Sequence, residues 1–439
     1  MDPSVIKNIR GTFKEWDLFH ESVNTLPVIF ENNELKSTEE NFREGAGLRI
    51  IQDGKLGFSS TTQLSGGSRL TDYCQETSRL GDTACFSFPD KKAGGQDLKV
   101  FDDKVRDLTL AMAADWGLFF IEKFSRQDEK LKVNVTIEKN IIRKHLINSA
   151  GLDLEEEKSV LDIMVSLFRA EENNFLEVYD YRSMTRLPDQ KEIEDLSENL
   201  DFLYRHSLDK SEIKSGYYKV FFSPKAFSHL LGLLLASFDG KLFEKKISYF
   251  CDKIGSPFSA MKIDLIDDPS LEGRVYSTGF DGEGIRPERL YLIKDGRVND
   301  FSLDLQTAGK LKKSTNGHGM RGYSSMPNPG FTNIEFKVHD DNLIEERKKM
   351  INSIDEGIWV DQLLGAGQSN ILGGELSANI DLGYYISQGE IKGRIKDTMI
   401  TGNFFDFFNK ILNVEKERYS YSRFLVPGIL FDGISVAVK

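Results

Sequence analysis

The chain has 439 residues, enough for two or three domains, and its content of 39% hydrophobic and 29% charged residues is ordinary for a folded protein. The net charge of −12 argues against direct binding to nucleic acid, because phosphate backbones are bound by clustered Lys and Arg. The three cysteines predict a reducing compartment rather than a disulfide framework. No membrane association is expected, since no apolar run approaches the roughly 18 residues of a membrane helix.

The first half of the chain is predicted to mix helices with β-hairpins. Apolar spacing and charge patterns predict helices over residues 1–19, 102–127 and 192–206. Alternating apolar residues and turn signals predict extended segments over residues 27–36, 47–59, 130–149, 160–169 and 175–182. Asp53-Gly54 is the strongest of the turn signals, because both residues suit the left-handed backbone of a type I′ turn. The polar segment 210–215 is the preferred domain boundary, which gives domains of residues 1–212 and 213–439.

The second half is predicted to be richer in strands. Helices are predicted over residues 224–239 and 404–414, and strands or hairpins over residues 217–222, 289–303, 384–395 and 424–438. Ser223-Pro224 is a good helix start, and the helix that follows is apolar on almost all sides, which predicts that it is buried. Helices and hairpins alternate without the regular strand–helix order of a parallel sheet, so the predicted fold class is α+β.

Most motifs that would indicate catalysis are absent. The sequence has no P-loop, no Gly-x-Ser-x-Gly elbow and no Cys-x-x-Cys pair. The six histidines are too far apart for two of them to share the spacing of a His-Glu-x-x-(x)-His helix. His229 lies on the apolar helix, and we interpret it as a core or interface histidine; the alternative is a former metal ligand or a substrate contact. A metal held by residues from distant parts of the chain stays an open alternative.

Two glycine-bracketed loops supply the candidate substrate-binding residues. Asp281 and Glu283 belong to the segment Phe280–Gly284, and His318 and Arg321 belong to the polar segment 314–321. A tight turn in which Asp281 accepts from its own backbone is the favoured interpretation of the first loop. Ordinary loop chemistry is an equal alternative for the second. No catalytic or metal-binding residue is assigned.

Several segments resemble the TldD/PmbA family, the peptidases and peptidase-like proteins also called modulators of DNA gyrase. The most specific is the glycine-rich run Gly365–Ile411, which reads GAGQSNILGGELSANIDLGYY in its first part. Weaker matches accompany it along most of the chain: Gly45–Arg49, Asp267–Pro269, Phe280–Gly284, the hairpin at Asp295-Gly296, and Asn328–Asn333. The resemblance implies an N-terminal α/β portion, divisible at about residue 100, followed by a β-rich C-terminal domain.

The resemblance also assigns a branch of this family. The TldD branch carries His-Glu-x-x-x-His on a helix and a further Cys ligand near the C-terminus. The matching helix here, 224–239, places Leu231, Gly232 and Ala236 near those positions, and none of these side chains can bind zinc. The segment 414–439 has no Cys. The chain is therefore identified as a member of the PmbA branch, also called TldE.

The resemblance implies a function in peptide degradation and a cytoplasmic setting. In the family the two branches pair, so we expect no cofactor in this chain, zinc in a TldD-type partner, and an unfolded peptide as substrate. The pair would be a heterodimer, with a homodimer as the alternative. Two other hypotheses stay open at this point: a self-sufficient peptidase that uses Asp281, Glu283 and His318, and a non-catalytic peptide-binding regulator.

Overall fold

A computed structural model describes residues 3–64, 68–93, 95–171, 174–368 and 370–439. About 24% of the chain is helix and 41% is strand, and the C-terminal region is rich in strands, which confirms the predicted α+β class. Within the described ranges, none of the helices combines the length and the apolar character needed to cross a membrane.

The N-terminal region is built around an antiparallel sheet of seven strands. Its strand order is β4-β3-β1-β5-β6-β7, with β2 paired to β1. The strands are β1 Glu15–Glu31, β2 Glu34–Ser37, β3 Asn41–Gln52, β4 Lys55–Thr61, β5 Lys132–Asn148, β6 Asp153–Glu171 and β7 Asn174–Met184. The helices are α1 Pro3–Thr12, α2 Ser68–Ser78, α3 Asp103–Arg106, α4 Leu110–Ser125 and α5 Gln190–Leu208.

The predicted N-terminal helix is wrong beyond Thr12. From Glu15 onward the chain is strand β1, which pairs with β3 on one side and with β5 on the other. Trp16 and Leu18 pack into one hydrophobic cluster and Phe19 into another, which is the two-sided alternation of a strand. Pairing with two distant strands therefore overrides the local helical pattern.

The C-terminal region contains three sheets. Its strands are β8 Gly216–Phe222, β9 Ile263–Asp267, β10 Leu290–Lys294, β11 Arg297–Val298, β12 Gly319–Met320, β13 Asn328–Pro329, β14 Ile334–Val338, β15 Ile344–Glu345, β16 Glu356–Leu364, β17 Glu375–Ser387, β18 Glu390–Arg394, β19 Thr398–Asn403, β20 Ile411–Glu415, β21 Tyr419–Tyr421, β22 Phe424–Val426 and β23 Ile429–Val438. Its helices are α6 Pro224–Ala236, α7 Gly240–Glu244, α8 Leu305–Lys310, α9 Arg347–Asn352 and α10 Phe404–Phe407.

The largest C-terminal sheet closes on itself. Strand β23 pairs with both β19 and β8, so that β8, β16, β17, β19 and β23 form a ring of hydrogen-bonded neighbours. A second sheet has the order β11-β10-β9-β14-β22-β21. Helix α6 packs between the two sheets, where the Phe227 ring lies 5.0 Å from that of Phe336 and 6.3 Å from that of Phe431.

Turn and helix-start signals were reliable in this region, whereas one predicted helix end was not. Helix α6 begins as predicted: Ser223 caps it by accepting from the Ala226 amide at 3.2 Å, and most of its side chains are buried. The hairpin turns at Asp295-Gly296 and Gln388-Gly389 are also confirmed, with positive φ at all four residues. The predicted helix over 404–414 is wrong beyond Phe408, because the chain from Ile411 pairs with β23 instead.

One hydrophobic cluster contains residues of both the N-terminal and the C-terminal regions. Leu200 and Leu203 of α5 belong to the same cluster as Trp359 and Tyr384 of the C-terminal ring. The Tyr384 hydroxyl donates to the Leu203 carbonyl at 2.7 Å, which satisfies its polar group inside this core. The placement of the boundary near residue 212 stays a prediction.

Candidate functional site

The four residues predicted to bind substrate lie close together, at the junction of the N-terminal sheet with the C-terminal loops. Asp281 accepts from the amides of Glu283 at 2.8 Å and Ile285 at 2.9 Å, and its second oxygen accepts from the Gly319 amide at 2.9 Å. These bonds fit the turn interpretation of the first loop. They also join that loop to the segment that carries His318 and Arg321.

Glu283 and Arg321 belong to a buried ionic network with Asp17 of β1 and Arg49 of β3. Arg49 Nη1 lies 2.6 Å from Glu283 Oε1, and Arg49 Nη2 lies 2.6 Å from Asp17 Oδ2. Arg321 Nη2 lies 3.1 Å from the same Asp17 oxygen, and all four side chains are 1% exposed or less. Two positive and two negative charges therefore alternate inside the protein, where each ion depends on its partners for solvation.

Burial shifts the protonation equilibria of this network in opposite directions. Burial raises the pKa of Glu283 above that of an ordinary glutamate and lowers the pKa of Arg321. Burial also lowers the pKa of Arg49, but Asp17 and Glu283 together raise it further, so the net change is upward. Arg49 is therefore a fixed cation, around which the two carboxylates are arranged.

His318 forms a second buried pair beside this network. Its Nε2 lies 3.3 Å from Asp267 Oδ2, and its Nδ1 lies 2.9 Å from the Asn316 carbonyl oxygen. Burial lowers the pKa of His318, but the Asp267 carboxylate, the Asn316 carbonyl and Asp281 together raise it by more, so the net change is upward. The side chains of His318 and Asp267 are 0% exposed, so a substrate would reach this pair after a rearrangement. The substrate-binding role of the four predicted residues stays a prediction.

Two glycines allow the strand that carries Arg49 to approach the C-terminal region. A Cβ on Gly47 would lie 2.2 Å from the Tyr323 carbonyl oxygen, and a Cβ on Gly45 would lie 2.3 Å from the Tyr323 ring. The close contact at Gly47 is with backbone, which cannot rotate away as a side chain can. This is a physical reason for the Gly-Ala-Gly pattern that the sequence shows before Leu48.

We expect Gly47→Ala to destabilise the protein by about 1–3 kcal/mol, because the new methyl group must displace the Tyr323 backbone. Urea denaturation of the purified chain measures this change. Gly11→Ala is the matched control, since a Cβ there meets no atom within 4 Å. Equal stability of Gly47→Ala and Gly11→Ala would contradict the close approach.

Lys158 of β6 is a further polar contact across the junction. Its Nζ donates to the carbonyls of Val275, at 3.2 Å, and Ser277, and burial lowers its pKa to about 7. Between this value and the usual lysine pKa near 10.4, the unfolded chain holds a proton that the folded chain lacks. The contribution of Lys158 to the unfolding free energy therefore rises with pH across this window.

We expect the melting temperature of the wild type, relative to that of Lys158→Met, to rise between about pH 7 and pH 10. Thermal melts of both proteins across this range measure the difference in melting temperature. Taking the difference cancels the contributions of the other titrating groups, which both proteins share. Lys123→Met removes another partly buried lysine, which donates to Ser197, and serves as the control. A difference that stays flat, or that falls with pH, would show that Lys158 is charged in the folded state.

Helix α6 is where the family resemblance places the zinc motif. The three positions involved differ in solvent exposure: Leu231 is fully buried in the core, Gly232 is exposed and Ala236 is partly exposed. His229 lies on the same partly exposed side, and burial and the nearby Lys225 both lower its pKa. Leu, Gly and Ala offer no ligand atom, so the residues at these positions do not fit a zinc ion.

Sequence reasoning missed a buried ion pair at the start of α6. Lys225 Nζ lies 2.7 Å from Asp361 Oδ2 of β16 and donates to the Tyr179 carbonyl of β7, with its charge 4.3 Å from the centre of the Tyr179 ring. The Lys225 and Asp361 side chains are 1% and 5% exposed. A lysine inside an otherwise apolar helix was the available signal, since such a residue needs a buried partner.

One group of side chains in the described ranges has the spacing of metal ligands. The ligand atoms of Asp264, Asp295 and His339 lie within 4.8 Å of one another. His339 Nε2 lies 2.8 Å from one oxygen of Asp264, and the other oxygen accepts from the Asp295 amide at 2.7 Å. Both Asp264 oxygens thus have protein partners, whereas Asp295, in the β10–β11 turn, and His339, just after β14, are exposed. Asp264 is therefore satisfied without an ion.

Profiles of known protein families match two parts of the chain. The family profile described as the PmbA/TldA metallopeptidase C-terminal domain matches residues 215–438, just over half of the chain, and the profile of domain 1 matches residues 16–74. The chain belongs to the PmbA/TldD family. Its α6 is thus the helix of a family domain, and the buried network joins the two parts that the profiles recognise.

Individual relatives match this chain over very different lengths. An uncharacterized protein of Methanocaldococcus jannaschii is 24% identical over 92% of both chains. Metalloprotease PmbA of Escherichia coli O157:H7 is 23% identical over 94% of this chain and 90% of that protein. The Metalloprotease TldD homolog of Haemophilus influenzae is 28% identical, over 39% of this chain and 35% of that protein.

A solved structure shares the fold. The crystal structure of TldE from Thermococcus kodakarensis superposes with a TM-score of 0.90 at 20% identity, covering 99% of this chain and 100% of that one. Identity at this level supports the fold alone.

Proposed function

We propose that this chain is the metal-free subunit of a zinc peptidase whose partner is of the TldD type and whose substrates are unfolded peptides. The observation that carries the proposal is the composition of α6, where Leu231, Gly232 and Ala236 stand at the positions of the zinc motif. A second loss accompanies it, since the segment 414–439 has no Cys. Both parts of the family's metal site are thus without ligands in this chain.

The extent of the sequence similarity supports the same branch. Similarity to the PmbA protein runs over nearly the whole chain, whereas similarity to the TldD homolog covers 39% of it. Relatives of both kinds occur among known proteins, as a paired enzyme requires. The proposal places the pair in the cytoplasm and leaves zinc to the partner.

Within this pair, the chain would position peptide rather than cleave it. The partner's zinc would supply the Lewis acid that activates water. This chain would contribute an exposed strand edge that pairs with an extended peptide through backbone hydrogen bonds. The network around Arg49 would hold the N-terminal sheet and the C-terminal region in a fixed relation, and Asp281, Glu283, His318 and Arg321 stay the proposed substrate contacts.

Reconstitution with a TldD-type protein tests the proposal. We expect the mixture to hydrolyse an unfolded peptide, each protein alone to be much less active, and substitution of the partner's first motif histidine to abolish hydrolysis. Size-exclusion chromatography of the mixture would show a heterodimer at micromolar concentration. A stable homodimer that ignores such a partner would refute the subunit role.

The same assay separates the two other hypotheses. Hydrolysis by this chain alone, abolished by His318→Ala, would indicate a self-sufficient peptidase. The close grouping of Asp281, Glu283 and His318 gives that hypothesis its structural basis. Saturable peptide binding without turnover, even with the partner present, would indicate a non-catalytic regulator.

A further inference from the structure

A pocket of about 640 Å³ lies on the opposite side of β16 from α6. Ile358 and Val360 of this strand pack in the cluster that contains α6, whereas Trp359, between them, belongs to the other large cluster and lines the pocket. Side chains from α5, α9 and β18 complete the walls. The pocket is therefore separate from the zinc-motif helix and shares no residue with the ionic network around Arg49.

The pocket has an aromatic wall. The ring of Phe202 lies 5.4 Å from that of Trp359 and 4.3 Å from that of His206. Ile351 and Ile391 add aliphatic surface. A concave site lined by flat and aliphatic groups favours a planar apolar body, because such a body buries the most surface against it.

The polar groups at this pocket are mainly donors and cations. Trp359 is 2% exposed, and its Nε1–H has no acceptor in the described part of the protein. Arg347 contacts Glu415 through Nε at 2.9 Å and Nη2 at 3.1 Å, and its Nη1 takes part in neither contact. Lys348 is exposed and has no carboxylate within 4 Å among the described residues, whereas the rim carboxylate Glu390 is paired with Lys392 at 2.6 Å.

We propose that this pocket binds an aromatic carboxylate. The ring lies against Phe202 and Trp359, and the carboxylate accepts from Lys348 and from Arg347 at the rim. The Trp359 N–H is closed to solvent, so a ligand oxygen reaches it only after the pocket wall shifts; the bond then adds affinity, because a buried N–H without an acceptor costs stability. The carboxylate belongs either to a free aromatic acid or to the last residue of a peptide, since both present the same groups. The inference does not depend on the proposed peptidase role.

Isothermal titration of the full chain with N-acetyl-phenylalanine tests this site, with N-acetyl-phenylalaninamide as the control ligand. We expect saturable binding of the acid and at least about tenfold weaker binding of the amide, because the amide lacks the charge that pairs with Lys348. Lys348→Met is expected to weaken binding of the acid by a similar factor. Trp359→Phe, which keeps a ring and removes the N–H, is expected to weaken binding of both ligands.

Lys349→Met is the matched control variant, since Lys349 is exposed on the same helix and paired with Glu345 at 3.1 Å. It should leave binding unchanged. Titration with Gly-Gly-Phe distinguishes the two sources of the carboxylate. Tighter binding than that of N-acetyl-phenylalanine indicates a peptide terminus, and weaker binding indicates a free acid. The proposal is overturned if the acid shows no saturation up to about 10 mM, if acid and amide bind equally, or if Lys349→Met has the effect of Lys348→Met.

Discussion

Arg49→Met is expected to lower the unfolding free energy by about 3–5 kcal/mol. The substitution leaves Glu283 without its ion-pair partner and Asp17 with Arg321 alone, and both carboxylates stay buried. Methionine keeps much of the apolar contact with Phe86 and Phe88, whose ring centres lie 4.9 Å and 5.2 Å from the guanidinium carbon. The loss therefore reports charge rather than packing.

Urea denaturation monitored by circular dichroism measures this effect. Arg143→Met is the matched control, because Arg143 pairs with Glu157 across neighbouring strands with its side chain 65% exposed. Exposed pairs of this kind contribute about 0–1 kcal/mol. A similar, small loss for both variants would mean that the Arg49 network is hydrated in solution.

Lys225→Met is expected to cost a similar amount, about 3–5 kcal/mol, because it leaves the Asp361 carboxylate buried without a cation. The substitution also removes the donor to the Tyr179 carbonyl, so β7 loses a contact with α6. Lys225 thus fixes the first turn of α6, the helix that the family resemblance identifies with the zinc motif, against β16 through Asp361 and against the N-terminal sheet through Tyr179.

The double variant Lys225→Met/Asp361→Leu distinguishes charge from packing at this site. Removing both charges eliminates the unpaired carboxylate, so we expect the double variant to be more stable than Lys225→Met alone. Lys310→Met is the control, since its Nζ lies 3.8 Å from an exposed Asp82. A double variant no more stable than Lys225→Met would show that the buried Asp361 carboxylate costs little once its cation is removed.

Short-range signals explain which parts of the fold were predictable. Asp53-Gly54 specified its hairpin because the turn needs positive φ at both residues, and the structure has 52° and 75° there. Ser223-Pro224 specified the start of α6 for an equally local reason. Strand β1 was mistaken for a continuing helix because its two pairing partners lie far away in sequence, so no local window contains the contacts that decide its conformation.

The same limit applies to the candidate site. Asp281, Glu283, His318 and Arg321 were found as polar residues in glycine-rich loops, which local patterns can indicate. Their partners were not, because Arg49 and Glu283 are separated by 234 positions and Arg321 and Asp17 by 304. Two strands of the N-terminal sheet supply these partners, and a single sequence carries no signal for such a pairing.

The zinc content of the purified chain, measured by elemental analysis after dialysis against metal-free buffer, is the most direct test of the central claim. A metal-free subunit predicts near-zero zinc per chain, with stoichiometric zinc appearing in the complex once a TldD-type partner is added. One zinc per chain in the protein alone would contradict that claim, because it would mean that ligands from distant parts of this chain form a metal site of their own.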